Sequence, residues 1–179
     1  MTDLQPVCTR DGRVSALQPV QRRSAQHDAS TVVGLLNARS VGSLSKQLAV
    51  HDRIVSDRLH LCAVVETWHD AADNPQLIAC TPSGYSYIEK VHPRSVSAEL
   101  SMRTNHGGLC LFYASFLSAR EVPLAVYKSG VEVLAVYCRG AGHKMLAVVI
   151  YRPPVVSIST FFDDLADVLG CPRLHALSS

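Results

Sequence analysis

Three polar residues stand where chemistry could be done: Asn37, Glu66 and Tyr151 each close a short apolar run, namely Thr31-Val-Val-Gly-Leu-Leu, Leu61-Cys-Ala-Val-Val and Leu146-Ala-Val-Val-Ile. The ends of strands pointing the same way converge in space, which is how α/β folds assemble their sites. A carboxylate beside an amide side chain offers the hard oxygen donors that Mg2+ takes. A cation held there would polarise a phosphoryl oxygen and neutralise the charge that develops in phosphodiester hydrolysis. A tyrosine hydroxyl could hydrogen-bond the same phosphate. Taken singly, each residue also has an ordinary reading: Asn after a strand as a turn residue, Glu as a solvated strand end, Tyr as a rim aromatic.

The elements that must position them follow from periodicity. Residues 1–30 are a polar mixture containing Arg22 and Arg23, expected as a flexible leader. Thr31 to Asn37 reads as a strand opening into a loop. A helix is expected from about Ser43, an acceptable N-cap, with Leu44, Leu48, Val55 and Leu59 close to one face. The continuous run Leu61 to Val65 suits a strand covered on both faces. Pro82-Ser83-Gly84 marks a turn before a strand at Tyr85 to Ile88. Gly107-Gly108 precede a strand at Leu109 to Tyr113, and further strands are expected at Leu124 to Tyr127, Val131 to Tyr137 and Leu146 to Tyr151. Pro153-Pro154 stop the last of these. Ser159 can cap a final helix carrying Phe161, Phe162, Leu165, Val168 and Leu169, which ends near Gly170. The fold class is α/β: one domain over residues 31–170 with a mixed, mostly antiparallel sheet and helices on its outer face, then a tail over 171–179.

Composition sets outer limits. With 179 residues, 47% hydrophobic and 18% charged, the chain can bury a core of its own. The formal net charge of +2 neither demands nor forbids a nucleic-acid partner. No apolar run approaches the ~18 residues of a membrane span, so no membrane partner is expected. The six cysteines show no C-x-x-C pair, which argues against a zinc site. Cys62, Cys110 and Cys138 sit inside apolar runs as small hydrophobes, and an intracellular, reduced setting is expected. His69, His106 and His143 lie in expected loops without ligand spacing, and Asp163, Asp164 and Asp167 read as the solvated face of the last helix.

Five motifs occur in order: Leu35-Leu-Asn37-Ala-Arg-Ser40, Val65-Glu66-Thr-Trp68, Pro82-Ser-Gly84-Tyr85, Gly107-Gly108 and Val149-Ile-Tyr151-Arg-Pro-Pro154. Each alone is weak; the series over residues 31–170 resembles the N-terminal part of the endonuclease domain of LINE-type (non-LTR) retrotransposons, in the endonuclease/exonuclease/phosphatase superfamily. The resemblance implies a two-sheet sandwich that cuts DNA with a divalent metal, Mg2+ or Mn2+. Matched motif by motif, Asn37 is the first-strand asparagine of the active site, Glu66 the metal-binding glutamate, with Asn37 beside it at the metal, and Tyr151 the tyrosine on the scissile phosphate. Arg39 and Arg152 adjoin these positions and are expected to bind substrate phosphate, with solvated arginines as the alternative.

The family continues past this last helix into a strand ending Gly-Asp-Phe-Asn and then a Ser-Asp-His motif, whereas this sequence reads Gly170-Cys-Pro-Arg-Leu-His-Ala-Leu-Ser-Ser179. On that ground the chain by itself is expected to be inactive, because groups that act as one catalytic unit fail together. A non-catalytic nucleic-acid-binding module, or a retrotransposon relic, is the alternative. A sheet lacking its partner would also leave an apolar face open and promote self-association. A retrotransposon role implies a nuclear location, although no basic localisation run stands out.

Overall fold

The computed structural model describes residues 30–69, 72, 74–92, 107–124, 130–140 and 143–172. The expected leader, apart from Ser30, lies outside these residues, as do most of the tail and the strand placed at Leu124 to Tyr127 beyond its first residue.

The first unit is a parallel strand pair with a helical crossover. Strand β1 (Val33–Asn37) runs parallel to β2 (Leu61–Val65), and Asn37 lies opposite Val65. Helix α1 (Leu44–Ser56) joins them from an N-cap at Ser43, as its sequence indicates. The face it buries is another matter. Val50 and Ile54 go inward, while Leu44, Leu48 and Val55 are 68%, 50% and 51% exposed. The helix carries two apolar stripes, and its rotation is fixed from outside by buried Val41 before it and Leu59 after it. Leu59 docks over β1 at Gly34, where an added Cβ would stand 2.5 Å from a Leu59 methyl.

Helix α2 (Pro75–Cys80) follows, with the Asn74 side chain accepting from the backbone of Gln76 at 2.8 Å and proline in the first turn. Strand β3 (Tyr85–Lys90) pairs antiparallel with β4 (Leu109–Ala114), which also pairs antiparallel with β2. These strands form a mixed sheet in the order β1-β2-β4-β3. Strands β5 (Ser118–Glu121), β6 (Glu132–Gly140) and β7 (His143–Tyr151) form a second, antiparallel sheet in that order.

The strands therefore divide between two sheets, as the sandwich implied by the resemblance requires, and do not make the single sheet expected from periodicity. Strands β2 and β4 are apolar on both sides, and helices on one side alone would leave half of that surface in water. Cys62, Val64, Cys110 and Phe112 face α1 and α2. Leu61, Ala63, Val65, Leu109 and Leu111 instead pack on Leu134, Val136, Cys138 and Val149 of the second sheet. The inner face expected to stand open for self-association is thus covered across β2 and β4. Edge strand β1 keeps exposed apolar side chains, Val33 at 60% and Leu35 at 74%.

Helix α3 (Ile158–Leu169) covers the outer side of the second sheet, where buried Val168 meets Val133 and Ala135. Its cap is Ser157, two residues before the expected Ser159, with the side chain accepting from the Thr160 backbone at 3.1 Å. Ser157→Ala is expected to cost about 1 kcal/mol, read as a lower urea midpoint at unchanged slope. An unchanged midpoint would mean the cap contributes nothing.

Candidate active site

The parallel pairing of β1 and β2 does not stop at the strand ends. Ala38 and Val41 donate backbone hydrogen bonds to the Val65 and Thr67 carbonyls, both at 3.0 Å, and Ser40 donates to the Glu66 carbonyl at 2.7 Å. The two loops that leave the sheet are thereby laced together. Left-handed backbone at Arg39 (φ 46°), Ser40 (φ 86°), Glu66 (φ 55°) and Trp68 (φ 56°) accompanies this arrangement. Non-glycine residues adopt that conformation at a cost, and such residues cluster at functional sites.

The lacing brings the three expected residues together. Asn37 Nδ2 donates to Glu66 Oε1 at 2.7 Å. Its Oδ1 accepts from the Arg39 backbone at 3.1 Å, so the amide turns its nitrogen and not its oxygen to the carboxylate. Tyr151, at the end of β7 in the other sheet, donates its hydroxyl to Glu66. Burial, then that hydrogen bond and the charges of Glu66 and Glu132, push the hydroxyl up to about 12, with Arg152 pulling the other way. Tyr151 is therefore a hydrogen-bond donor throughout the neutral range.

A folded value raised from 10.0 to about 12 has a definite sign. The stabilisation is complete below pH 10.0 and is lost as pH rises toward 12, because the unfolded chain ionises first. Tyr151→Phe should therefore flatten the alkaline fall in stability followed by urea unfolding, and an identical fall in both proteins would refute the assignment.

The two expected phosphate ligands are placed differently. Arg39 is exposed two residues beyond Asn37. Arg152 donates from Nη1 to the Val156 carbonyl at 2.6 Å, bracing the turn after β7. Lys46 on α1, which sequence reasoning missed, donates to the Arg39 carbonyl and lies 5.9 Å from the Trp68 ring centre.

A buried polar layer beneath the site was also missed. His69 lies in a loop as expected but is fully buried there, with Nδ1 2.6 Å from Thr67 Oγ1 and Nε2 2.8 Å from Glu89 Oε2. Glu132, also buried, accepts from the Gly108 backbone at 2.7 Å and lies 2.7 Å from His92 Nδ1. The available signal was the charge itself, since Glu132 breaks into the apolar run Val131 to Tyr137. A pocket of 340 Å³ opens beside Tyr151, lined among others by His92, Gly107, Glu132 and Val156.

Glu66 suits a hard divalent cation in kind, because Mg2+ is commonly held by one or two carboxylates with water and substrate phosphate completing its shell. Among the described residues, no group of three or more His, Cys, Asp and Glu gathers at a common point. No described helix is long and apolar enough to cross a membrane.

No protein-family model matches the chain, and no curated protein matches it in sequence. Solved structures do match its shape. The human Nocturnin catalytic domain with bound sulfate anion superposes with a TM-score of 0.51 at 14% identity, over 74% of this chain and 56% of that one. The fold is that of the endonuclease/exonuclease/phosphatase class. The AP endonuclease LMAP from Leishmania major is a further match, at TM-score 0.48 and 16% identity, over 72% of this chain and 42% of that one. The match thus spans about half the length of these two endonuclease/exonuclease/phosphatase-fold structures.

Proposed function

We propose that the chain is the metal- and phosphate-binding part of a DNA endonuclease of the LINE-type retrotransposon kind, acting in the nucleus. The observation that carries this reading is the hydrogen-bonded group Asn37–Glu66–Tyr151, built from three strands in two sheets. Glu66 would hold Mg2+ or Mn2+, which supplies charge neutralisation at a phosphoryl oxygen. Asn37 fixes the carboxylate by donating to one of its oxygens, leaving the rest of the group for the cation. Tyr151 keeps its proton and turns it to a non-bridging phosphate oxygen when substrate arrives. Arg39 stands in solvent at the rim, where it meets the DNA backbone; Arg152, tied to the Val156 carbonyl, orders the turn beside Tyr151.

The second reading is a nucleic-acid-binding module without catalysis, to which Arg39, exposed at the rim beside Asn37, is equally suited. Mn2+ titration of labelled protein followed by NMR is expected to broaden the Asn37 side-chain amide, and Glu66→Ala to abolish the effect. Broadening that survives Glu66→Ala would overturn the metal assignment. In parallel, supercoiled plasmid with Mg2+ should stay uncut. Nicking by the wild type and not by Glu66→Ala would establish an endonuclease and refute the inactivity.

A further inference from the structure

Glu66 and Tyr151 belong to different sheets, so their contact depends on something that holds the sheet ends at a fixed separation. Two described residues span that gap: Lys90 of β3, whose Nζ donates to the Val133 carbonyl of β6 at 2.7 Å, and Glu132. The backbone of Glu132 lies opposite Tyr151 in the β6–β7 pairing. Its side chain leaves the second sheet, is 4% exposed, and takes the Gly108 N–H on Oε2 at 2.7 Å. The Gly108 carbonyl in turn accepts from Thr67 at 3.2 Å, and that of Gly107 from Trp68 at 2.9 Å. Thr67 directly follows Glu66. The path from Tyr151 to Glu66 thus runs through β-pairing, one carboxylate and one glycine turn.

The fit along this path is close. A Cβ added to Gly107 would stand 2.1 Å from Glu132 Oε1 and 2.4 Å from His92 Nδ1. One added to Gly108 would stand 2.5 Å from Thr67 Oγ1 and 3.0 Å from His69 Nδ1. The turn is therefore held between two carboxylate–imidazole pairs, Glu132 with His92 on one side and Glu89 with His69 on the other. Burying a carboxylate is costly unless its oxygens are paired, and here both oxygens are used on the turn and on the histidine that packs against it.

We infer that Glu132 is a positioning residue, which sets the spacing between Tyr151 and Glu66 by tying the end of the second sheet to the Gly107–Gly108 turn. The inference rests on the reading of Glu66 and Tyr151 as one site, and it concerns what keeps them together. A carboxylate is not required for this; an acceptor of the right length is. Glu132→Gln retains such an acceptor, Glu132→Leu removes it, and Glu132→Asp keeps the charge but shortens the reach.

The test uses the whole chain, first without metal. Nuclear Overhauser contacts between the Tyr151 ring and the Glu66 side chain are expected in the wild type and in Glu132→Gln, and are expected to vanish in Glu132→Leu. Mn2+ affinity should fall about tenfold in Glu132→Leu, as loss of an outer-shell partner commonly does, and be restored in Glu132→Gln. Should Glu132→Leu fail to fold, Glu132→Asp is expected to lose the same contacts. Contacts that persist in Glu132→Leu, or in Glu132→Asp where that variant stands in, overturn the inference. Absence of Mn2+ binding by the wild type, with the contacts still dependent on residue 132, would sink the metal reading and leave the spacing role standing.

Discussion

Phe112→Ala is expected to lower the free energy of unfolding by roughly 3–5 kcal/mol, the range for removing a buried aromatic ring. Phe112 is 0% exposed in the middle of β4. It has Cys62 of β2 opposite on one side and Tyr87 of β3 on the other. Its ring stands 5.9 Å from that of Tyr87 and shares a core with Val50 and Ile54 of α1 and Leu77 of α2. No neighbouring element can close over the void without moving the helix layer. Domains of this size are stable by about 5–15 kcal/mol, so the loss is a large share of the total. Urea denaturation measures the loss directly; one below about 1 kcal/mol would mean that the helix layer is not packed on the sheet as described.

Gly108→Ala is the second large effect, expected at roughly 2–5 kcal/mol. Two causes combine. The residue has φ 96°, a conformation that costs a side chain about 1–2 kcal/mol. The new methyl also meets the fully buried Thr67 and His69, whose mutual hydrogen bond prevents either from yielding, and overpacking of this sort costs about 1–3 kcal/mol. Gly84 supplies the control, since it shares a positive φ of 79° but has its nearest atom 4.0 Å from an added Cβ. Gly84→Ala should show the conformational part alone. Equal losses at the two positions in thermal or urea unfolding would refute the crowding at Gly108.

Much of this architecture was legible in the sequence, for identifiable reasons. Leu61 to Val65 is apolar at every position and proves buried at every position, since it has a helix layer on one side and a sheet on the other. Strands β3, β4, β6 and β7 begin and end within a few residues of their apolar runs. What pattern could not supply was the choice between equivalent solutions. Helix α1 has two apolar stripes, and only Val41 and Leu59, fixed by the loops, decide which turns inward. Helix α2 is short and only partly apolar, so periodicity is silent, although Asn74-Pro75 carried a usable capping signal. The division into two sheets depends on long-range packing of faces, to which local periodicity is blind.

The candidate site divides in the same way. Asn37, Glu66 and Tyr151 stood out because each polar side chain ends an apolar strand, and the fold places all three in one hydrogen-bonded group. Lys46 and His69 gave no such signal. Lys46 sits on a helix among other polar residues, and His69 looks like loop until its partner Glu89, 20 residues away on β3, is known. The roles of Arg39 and Arg152 turn on the conformation of two loops, which strand periodicity does not encode.

The cysteines give the molecule a set of internal clocks. Cys62, Cys80 and Cys110 lie in the core between helices and sheet, Cys138 in the core between the sheets, and Cys171 against the core under α3. Burial pushes the thiols of Cys62 and Cys80 up to about 11 and raises those of Cys110 and Cys138. A thiol reacts as its thiolate, so an alkylating reagent must wait for each layer to open. Among the described cysteines, half-buried Cys171 is expected to be modified first. The order in which the others follow reports, layer by layer, how the sandwich comes apart.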